Sequence, residues 1–204
     1  MKITQMRYDS GKNRFVVDTE GPRFFLRYET INQYDLKKDM DIAPYADLFT
    51  EETERLMATD YVFKMLTSRA ASSHEVRIRL QRRKTPASII EEVLSYFIEQ
   101  DLLDDSAYLR ASVKDQIEIK GYGPWRIVAN LRTKGYEKEE VLSVYGTLST
   151  AEEETRRAET YAKTQWPLLR GKTLQHRKKK LSDRLLRQGF SYDVISDILG
   201  NLDE

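Results

Sequence analysis

At 204 residues with 40% apolar side chains, the chain can bury a core, which excludes wholesale disorder. Cysteine is absent, so disulfides, thiolate metal sites and cysteine nucleophiles are excluded together. A third of the residues are charged, yet the formal net charge is only +1, so the distribution of charge carries more information than its sum.

The first third has a strand character. Arg14-Phe15-Val16-Val17 and Arg23-Phe24-Phe25-Leu26-Arg27-Tyr28 are short, aromatic and β-branched, and turn residues at 9–13 and 20–22 punctuate them. With Ile3 to Tyr8 they predict a small three-stranded antiparallel element. Ile31 to Ile42 reads as a short helix or loop ending in Ala43-Pro44. Residues 1–45 form an accessory head on this reading.

From about residue 50 the pattern is helical. Glu51 to Arg69 predicts a long helix with Leu56, Val62, Met65 and Leu66 inward. Ser72-x-x-Glu75 is a capping box that opens a helix to about Arg83, and Thr85 is expected to cap the next, with Pro86 in its first turn. One of Asp104 and Asp105 is the expected N-cap of a helix holding Leu109, Val113 and Ile117. Gly121-Tyr122-Gly123-Pro124 breaks the chain before a helix from Trp125 to Lys134, which stops at Gly135. Glu137 to Leu148, Glu152 to about Gln165 and a basic helix from about Leu174 to Gln188 follow. Gly189 ends that last one, and Ser191 caps a final helix.

These helices repeat. Ile90, Val93, Leu94 and Phe97 share their spacing with Val141, Val144, Tyr145 and Leu148, and with Ile195, Ile198, Leu199 and Leu202. The sets are offset by 51 and 54 residues, and Leu80, Leu131 and Leu185 obey the same offsets. Such a period marks small helical units that cannot bury their apolar faces alone. The fold class predicted is therefore mainly α: a tandem array of three three-helix units, about nine helices, solenoid-like, at 50–100, 101–149 and 150–204. Arrays of this kind are usually surfaces for partners.

Charge follows the repeat. Residues 64–84 carry seven bases against Glu75 alone, whereas 85–108 carry six acids and no base. Residues 110–138 hold seven bases against three acids, 137–159 the reverse, and 170–187 eight bases against Asp183. A basic face suited to phosphate or to carboxylate is expected, made by Arg77, Arg79, Arg82 and Arg83; by Arg126, Arg132 and Lys134; and by Lys178, Lys179, Lys180, Arg184 and Arg187. Tyr122 and Trp125 flank the second cluster; Trp125 reads first as the edge of the core stripe, and second as a base-stacking ring.

Catalytic, cofactor and metal sites are not expected. Asp104-Asp105 reads as a cap rather than a carboxylate pair, and Gly121-x-Gly123 lacks the third glycine and the preceding strand of a dinucleotide loop. His74 and His176 sit among bases as exposed helix residues. No apolar run approaches the ~20 residues that span a bilayer. The start, Met1-Lys2-Ile3-Thr4-Gln5, has no apolar leader core, so a cytoplasmic address without membrane contact is expected, and a monomer.

The run Leu102-Leu103-Asp104-Asp105-Ser106-x-Tyr108, then Lys120-Gly121-x-Gly123-Pro124-x-Arg126-Ile127 and Leu131-x-x-Lys134-Gly135, strongly resembles the RecX family. The outer units, Arg69-x-x-Ser72-Ser73-x-Glu75 to Leu80 and Leu185-Leu186-Arg187-Gln188-Gly189-Phe190 to Val194-Ile195, also look like that family's repeats, so the resemblance covers roughly residues 55–202. It implies a curved array that lodges in the groove of the RecA–DNA filament and inhibits strand exchange and DNA-dependent ATP hydrolysis. Blocked extension or promoted disassembly would be the means. The positions carried over are Lys120, Gly121, Gly123, Arg126, Lys134 and Gly135, with the glycines for shape and Lys120, Arg126 and Lys134 as contacts. Lys84 departs from the glycine of the other two units, so a different helix stop is expected there. The partners implied are the RecA filament and single- or double-stranded DNA. The alternatives are a stand-alone helix-turn-helix-like DNA binder and a scaffold for another acidic protein.

Overall fold

The computed structural model describes residues 1–171 and 173–202. It separates into two compact units between Leu103 and Asp104.

The first unit opens with strands β1 (Ile3–Asp9), β2 (Arg14–Thr19) and β3 (Phe24–Leu26) in an antiparallel sheet of that order. Cross-strand pairing sets Met6 opposite Val17 and Tyr8 opposite Phe15, and then Val17 opposite Phe24 and Phe15 opposite Leu26. One face of the sheet therefore carries a continuous apolar set. It buries Ile3, Val17, Phe24 and Leu26 with Ile31, Leu36, Ile42 and Phe49. Helix α1 (Tyr28–Gln33) starts three residues before the predicted segment.

Helix α2 (Ala46–Ser68) starts five residues earlier than its apolar pattern suggests, after a 3-10 turn at Ala43–Tyr45. Its first turns have a separate task. Thr53 Oγ1 accepts from the Phe25 amide at 2.9 Å, and the Glu52 carboxylate accepts from the Arg27 amide at 2.7 Å and the Thr30 hydroxyl at 2.7 Å. Two helix side chains thus satisfy the open edge of β3, which would otherwise present unpaired backbone. That is why Glu52 and Thr53 are buried although polar.

Helices α3 (Ser73–Arg82) and α4 (Ala87–Glu99) complete the unit. They share with α2 a core of Ala58, Val62, Met65, Val76, Leu80, Ile89, Ile90, Val93, Leu94 and Phe97. The Ser72 hydroxyl accepts from the Glu75 amide at 3.2 Å and caps α3. Pro86, rather than Thr85, is the N-cap of α4, because a ring that fixes φ and removes a donor suits the residue just outside the first turn.

The second unit holds α5 (Asp105–Glu118), α6 (Pro124–Arg132) and α7 (Lys138–Leu148) around Leu109, Val113, Ile117, Ile127, Val128, Leu131, Tyr136, Val141 and Tyr145. It continues with α8 (Ala151–Gln165), a 3-10 turn at Trp166–Leu168, α9 (Leu174–Gln188) and α10 (Tyr192–Gly200). These bury Ala158, Ala162, Leu169, Leu181, Leu185, Phe190, Ile195 and Ile198. Asp104, Thr150, Thr173 and Ser191 each cap the helix that follows with a side-chain oxygen. Fully burying one such Leu or Ile contributes about 1.5–3 kcal/mol.

The expectation that the first triple needs its own helix stop is overturned. Lys84 takes the left-handed conformation itself, φ 62°, as Gly135 does at 92° and Gly189 at 87°. The residue after each donates to the same carbonyl: Thr85 to Leu80 at 3.1 Å, Tyr136 to Leu131 at 3.3 Å and Phe190 to Leu185 at 3.3 Å. One device closes all three helices, and in the first a lysine bears the left-handed strain.

Candidate functional site

The apolar face of α5 alternates with polar positions, and its last turns meet α6 across a cleft of about 510 Å³. Lys120 and Tyr122 come from the connection, Arg126, Asn130 and Lys134 from α6 and its stop, and Tyr108, Ser112, Asp115 and Gln116 from α5. Positions 126, 130 and 134 are four residues apart, so they share one side of that helix and turn. The floor is polar and committed: Asn130 Nδ2 donates to Gln116 Oε1 at 2.7 Å, and Gln116 is buried. The three cations of the central motif are thus gathered around a single cleft.

They are not equally available. The Arg126 guanidinium lies 4.1 Å from the Tyr122 ring centroid and donates to the Arg187 carbonyl and to Gln188 Oε1, each at 3.1 Å. Beside it, the Gly123 amide donates to the Gln188 carbonyl at 2.9 Å and the Trp125 amide to the Gly189 carbonyl at 3.0 Å. The orphan carbonyls that end α9 are thus met by the orphan amides that begin α6. The motif that looked like a contact surface is in large part a joint between α6 and α9. Lys120 is exposed and has no carboxylate partner among the described residues; the nearest ring, Tyr122, is 5.9 Å from its Nζ.

The other candidates divide in the same way. In the first unit Arg77 forms a two-pronged ion pair with Glu91 of α4, and Arg79 joins Arg69 on the Glu75 carboxylate. That hydrogen bond holds the Glu91 carboxyl below its usual range. Basic α3 and acidic α4 therefore neutralise each other in part, which the charge alternation along the chain did not reveal. Arg83 stacks on Tyr61 at 4.5 Å, and Arg82 is exposed.

On α9, Lys180 donates to the Arg170 carbonyl at 2.8 Å, Arg184 binds Gln165, and Arg187 donates to the Asp183 carbonyl of its own helix at 3.0 Å. Lys178 is half-buried and Lys179 exposed, both without a carboxylate partner among the described residues. Trp125 is 46% exposed, with Lys138 Nζ 5.2 Å from its ring centroid, so its core reading is wrong. Arg132 is exposed seven residues further along α6.

A polar network below α7 was not foreseen. Arg157 donates to the Tyr145 oxygen at 2.6 Å and to Ser149 Oγ at 2.9 Å, and the Tyr145 hydroxyl donates to Glu154 at 3.1 Å. Burial first, and the Glu154 charge second, push the Tyr145 hydroxyl up to about 12. A tyrosine in an apolar spacing set gives no hint of such partners.

No gathering of three or more His, Cys, Asp or Glu among the described residues can hold a metal ion, and no described helix is long and apolar enough to cross a membrane.

No protein-family model matches the chain. It is 28% identical to the regulatory protein RecX of Finegoldia magna over 207 residues, 98% of this chain and 99% of that one. It is also 28% identical to that of Halalkalibacterium halodurans over 163 residues, 76% of this chain and 61% of the relative. The regulatory protein RecX of Staphylococcus saprophyticus is 27% identical over 177 residues, 86% and 64% of the two chains. The chain thus spans less than two thirds of these last two relatives. A crystal structure of regulatory protein RecX superposes with a TM-score of 0.75 at 22% identity, covering 98% of this chain and 99% of that one. RecX from Lactobacillus salivarius gives 0.65 at 23%, covering 74% and 97%.

Proposed function

We propose that this chain, which belongs to the RecX family, is a non-enzymatic regulator that binds the RecA–DNA filament through a basic surface and slows its recombinase and ATPase activity. The observation that carries the reading is the cleft between α5 and α6, where Lys120, Arg126 and Lys134 of the central motif converge. Cations lining such a cleft suit the phosphates of a DNA-bound filament or the carboxylates of its protein, through charge-assisted hydrogen bonds. On this proposal the working contacts are those not consumed by the fold: Arg82, Lys120, Arg132, Lys178 and Lys179, with Trp125 as a neighbouring ring. Arg77, Arg79, Lys180 and Arg184 serve the scaffold first. The three helical triples at 50–100, 101–149 and 150–204 act as repeated units, and a cytoplasmic monomer is the working state.

The test is single-strand-DNA-dependent ATP hydrolysis by the cognate RecA with the chain at a substoichiometric ratio. Strong inhibition is expected, and Lys120→Glu with Arg132→Glu should weaken it at least about tenfold. Inhibition unchanged by that pair would place the contact surface elsewhere. No inhibition together with tight, sequence-specific DNA binding would make the chain a stand-alone DNA binder. Loss of both would leave the scaffold.

A further inference from the structure

A second candidate site lies at the tip of the β1–β2 hairpin, far from the central motif in sequence. Tyr8 and Phe15 are direct cross-strand partners, with ring centroids 5.2 Å apart at 52°. The Tyr28 ring, from the start of α1, stacks on Phe15 at 6.3 Å and 29°. The three rings, with Asn13 and Glu29, line a cavity of about 410 Å³. Tyr8 and Tyr28 are 53% and 56% exposed, and the Tyr8 hydroxyl donates to Asn13 Oδ1 at 2.6 Å, which holds its ring in place.

Several rings elsewhere are covered by the chain's own cations: Arg14 lies 4.2 Å from the Phe25 centroid, Arg83 4.5 Å from Tyr61 and Arg177 4.2 Å from Trp166. Over Tyr8, Phe15 and Tyr28 there is none among the described residues. Of the bases next in sequence, Lys12 and Arg14 both pair with Asp60, at 2.7 and 3.0 Å, Arg7 lies 3.6 Å from Asp18, and Arg27 is not part of the cavity lining. Glu29 has no ion-pair partner among the described residues. The cavity is therefore aromatic on its walls and anionic at its rim.

We infer that Tyr8, Phe15 and Tyr28 form a cage for an arginine or lysine side chain of a partner protein, with Glu29 as the counter-charge. The face of an aromatic ring attracts a cation, and three rings around one cavity multiply the effect. A nucleobase would also stack on such rings. Its phosphates, however, would meet Glu29 with no free base in the cavity lining to receive them. The inference stands whether or not the chain acts on a recombinase filament.

The experiment titrates hexa-arginine peptide into the full chain by calorimetry, beside a six-residue thymidine oligonucleotide. Glu29→Gln and Tyr28→Ala should each weaken peptide binding about tenfold, and Tyr8→Phe, which keeps the ring, should change it less than twofold. An unaltered melting temperature in Tyr28→Ala separates lost binding from lost fold. Peptide affinity equal in the parent chain and Glu29→Gln would overturn the cage. So would an oligonucleotide that displaces the peptide and binds Glu29→Gln more tightly, because the rings would then be a base platform.

Discussion

Gly123 and Gly189 meet backbone to backbone: a Cβ built on Gly123 would lie 2.4 Å from the Gly189 carbonyl oxygen. The reverse is as tight, since a Cβ on Gly189 would lie 2.1 Å from the Arg126 amide nitrogen, and Gly189 also has φ +87°. No side chain fits between the start of α6 and the end of α9, which is what lets each helix end satisfy the other.

Gly123→Ala should therefore cost about 1–3 kcal/mol, as an overpacked contact does. Gly121 has open space around it but φ +64°, so Gly121→Ala should cost about 1–2 kcal/mol from strain alone. Gly146 sits within α7 with nothing within 4 Å, and Gly146→Ala should add about 0.5–1 kcal/mol. Urea denaturation of the three variants checks these costs; a Gly123→Ala variant as stable as the parent chain would refute the close contact.

Lys84→Gly should stabilise the chain by about 1 kcal/mol, because glycine bears φ 62° without the Cβ clash. Equilibrium denaturation in guanidinium is the check. A loss of stability would mean that the lysine stem gains more by packing than its backbone loses.

Arg126 serves a joint and lines the cleft, so its substitution should act twice. Arg126→Glu should lower both thermal stability and filament inhibition, whereas Lys120→Glu should lower inhibition alone. The guanidinium's two acceptors at 3.1 Å make a cost of about 1.5–3 kcal/mol reasonable for Arg126→Ala. Melting temperatures read beside the ATPase assay distinguish the two roles.

The Arg77–Glu91 pair makes stability depend on acid. Glu91 is held below its ordinary value of 4.5, chiefly by the hydrogen bond from Arg77. A carboxyl lowered by folding contributes fully above its unfolded pKa and loses that contribution as pH falls through the folded value. Glu91→Gln should thus lower the melting temperature at pH 7 and converge with the parent chain at strongly acid pH. Parallel melting curves across the whole range would show that the pair contributes nothing.

At the alkaline end the sign reverses. Tyr145 is raised from 10.0 to about 12 by burial and by Glu154, so its contribution is complete below pH 10 and is lost as pH rises toward 12. Tyr145→Phe should cost about 1–2 kcal/mol at neutral pH, where it removes one acceptor of Arg157 and the donor to Glu154, and should flatten the alkaline fall. Chemical denaturation at pH 8 and 11 measures both.

Apolar spacing along the chain was enough to define nine of the helices and most of their buried residues. Leu80, Leu131 and Leu185 are all buried at their predicted offsets. Helix formation reads neighbours three and four residues away, so a single strand of text contains what it needs. Caps at Ser72, Asp104 and Ser191 were legible for the same reason. The stop at Lys84 was not, because a lysine carries no left-handed signal and the neighbouring carbonyls decide. The fate of each cation lay beyond sequence altogether. Whether an arginine is a contact or a strut depends on what packing brings opposite it: Glu91 lies 14 residues from Arg77, and the Arg187 carbonyl lies 61 from Arg126. Tertiary structure alone assembled Tyr8, Phe15 and Tyr28, and it alone closed α6 on α9, because contacts between distant segments follow from shape and burial rather than from any local preference.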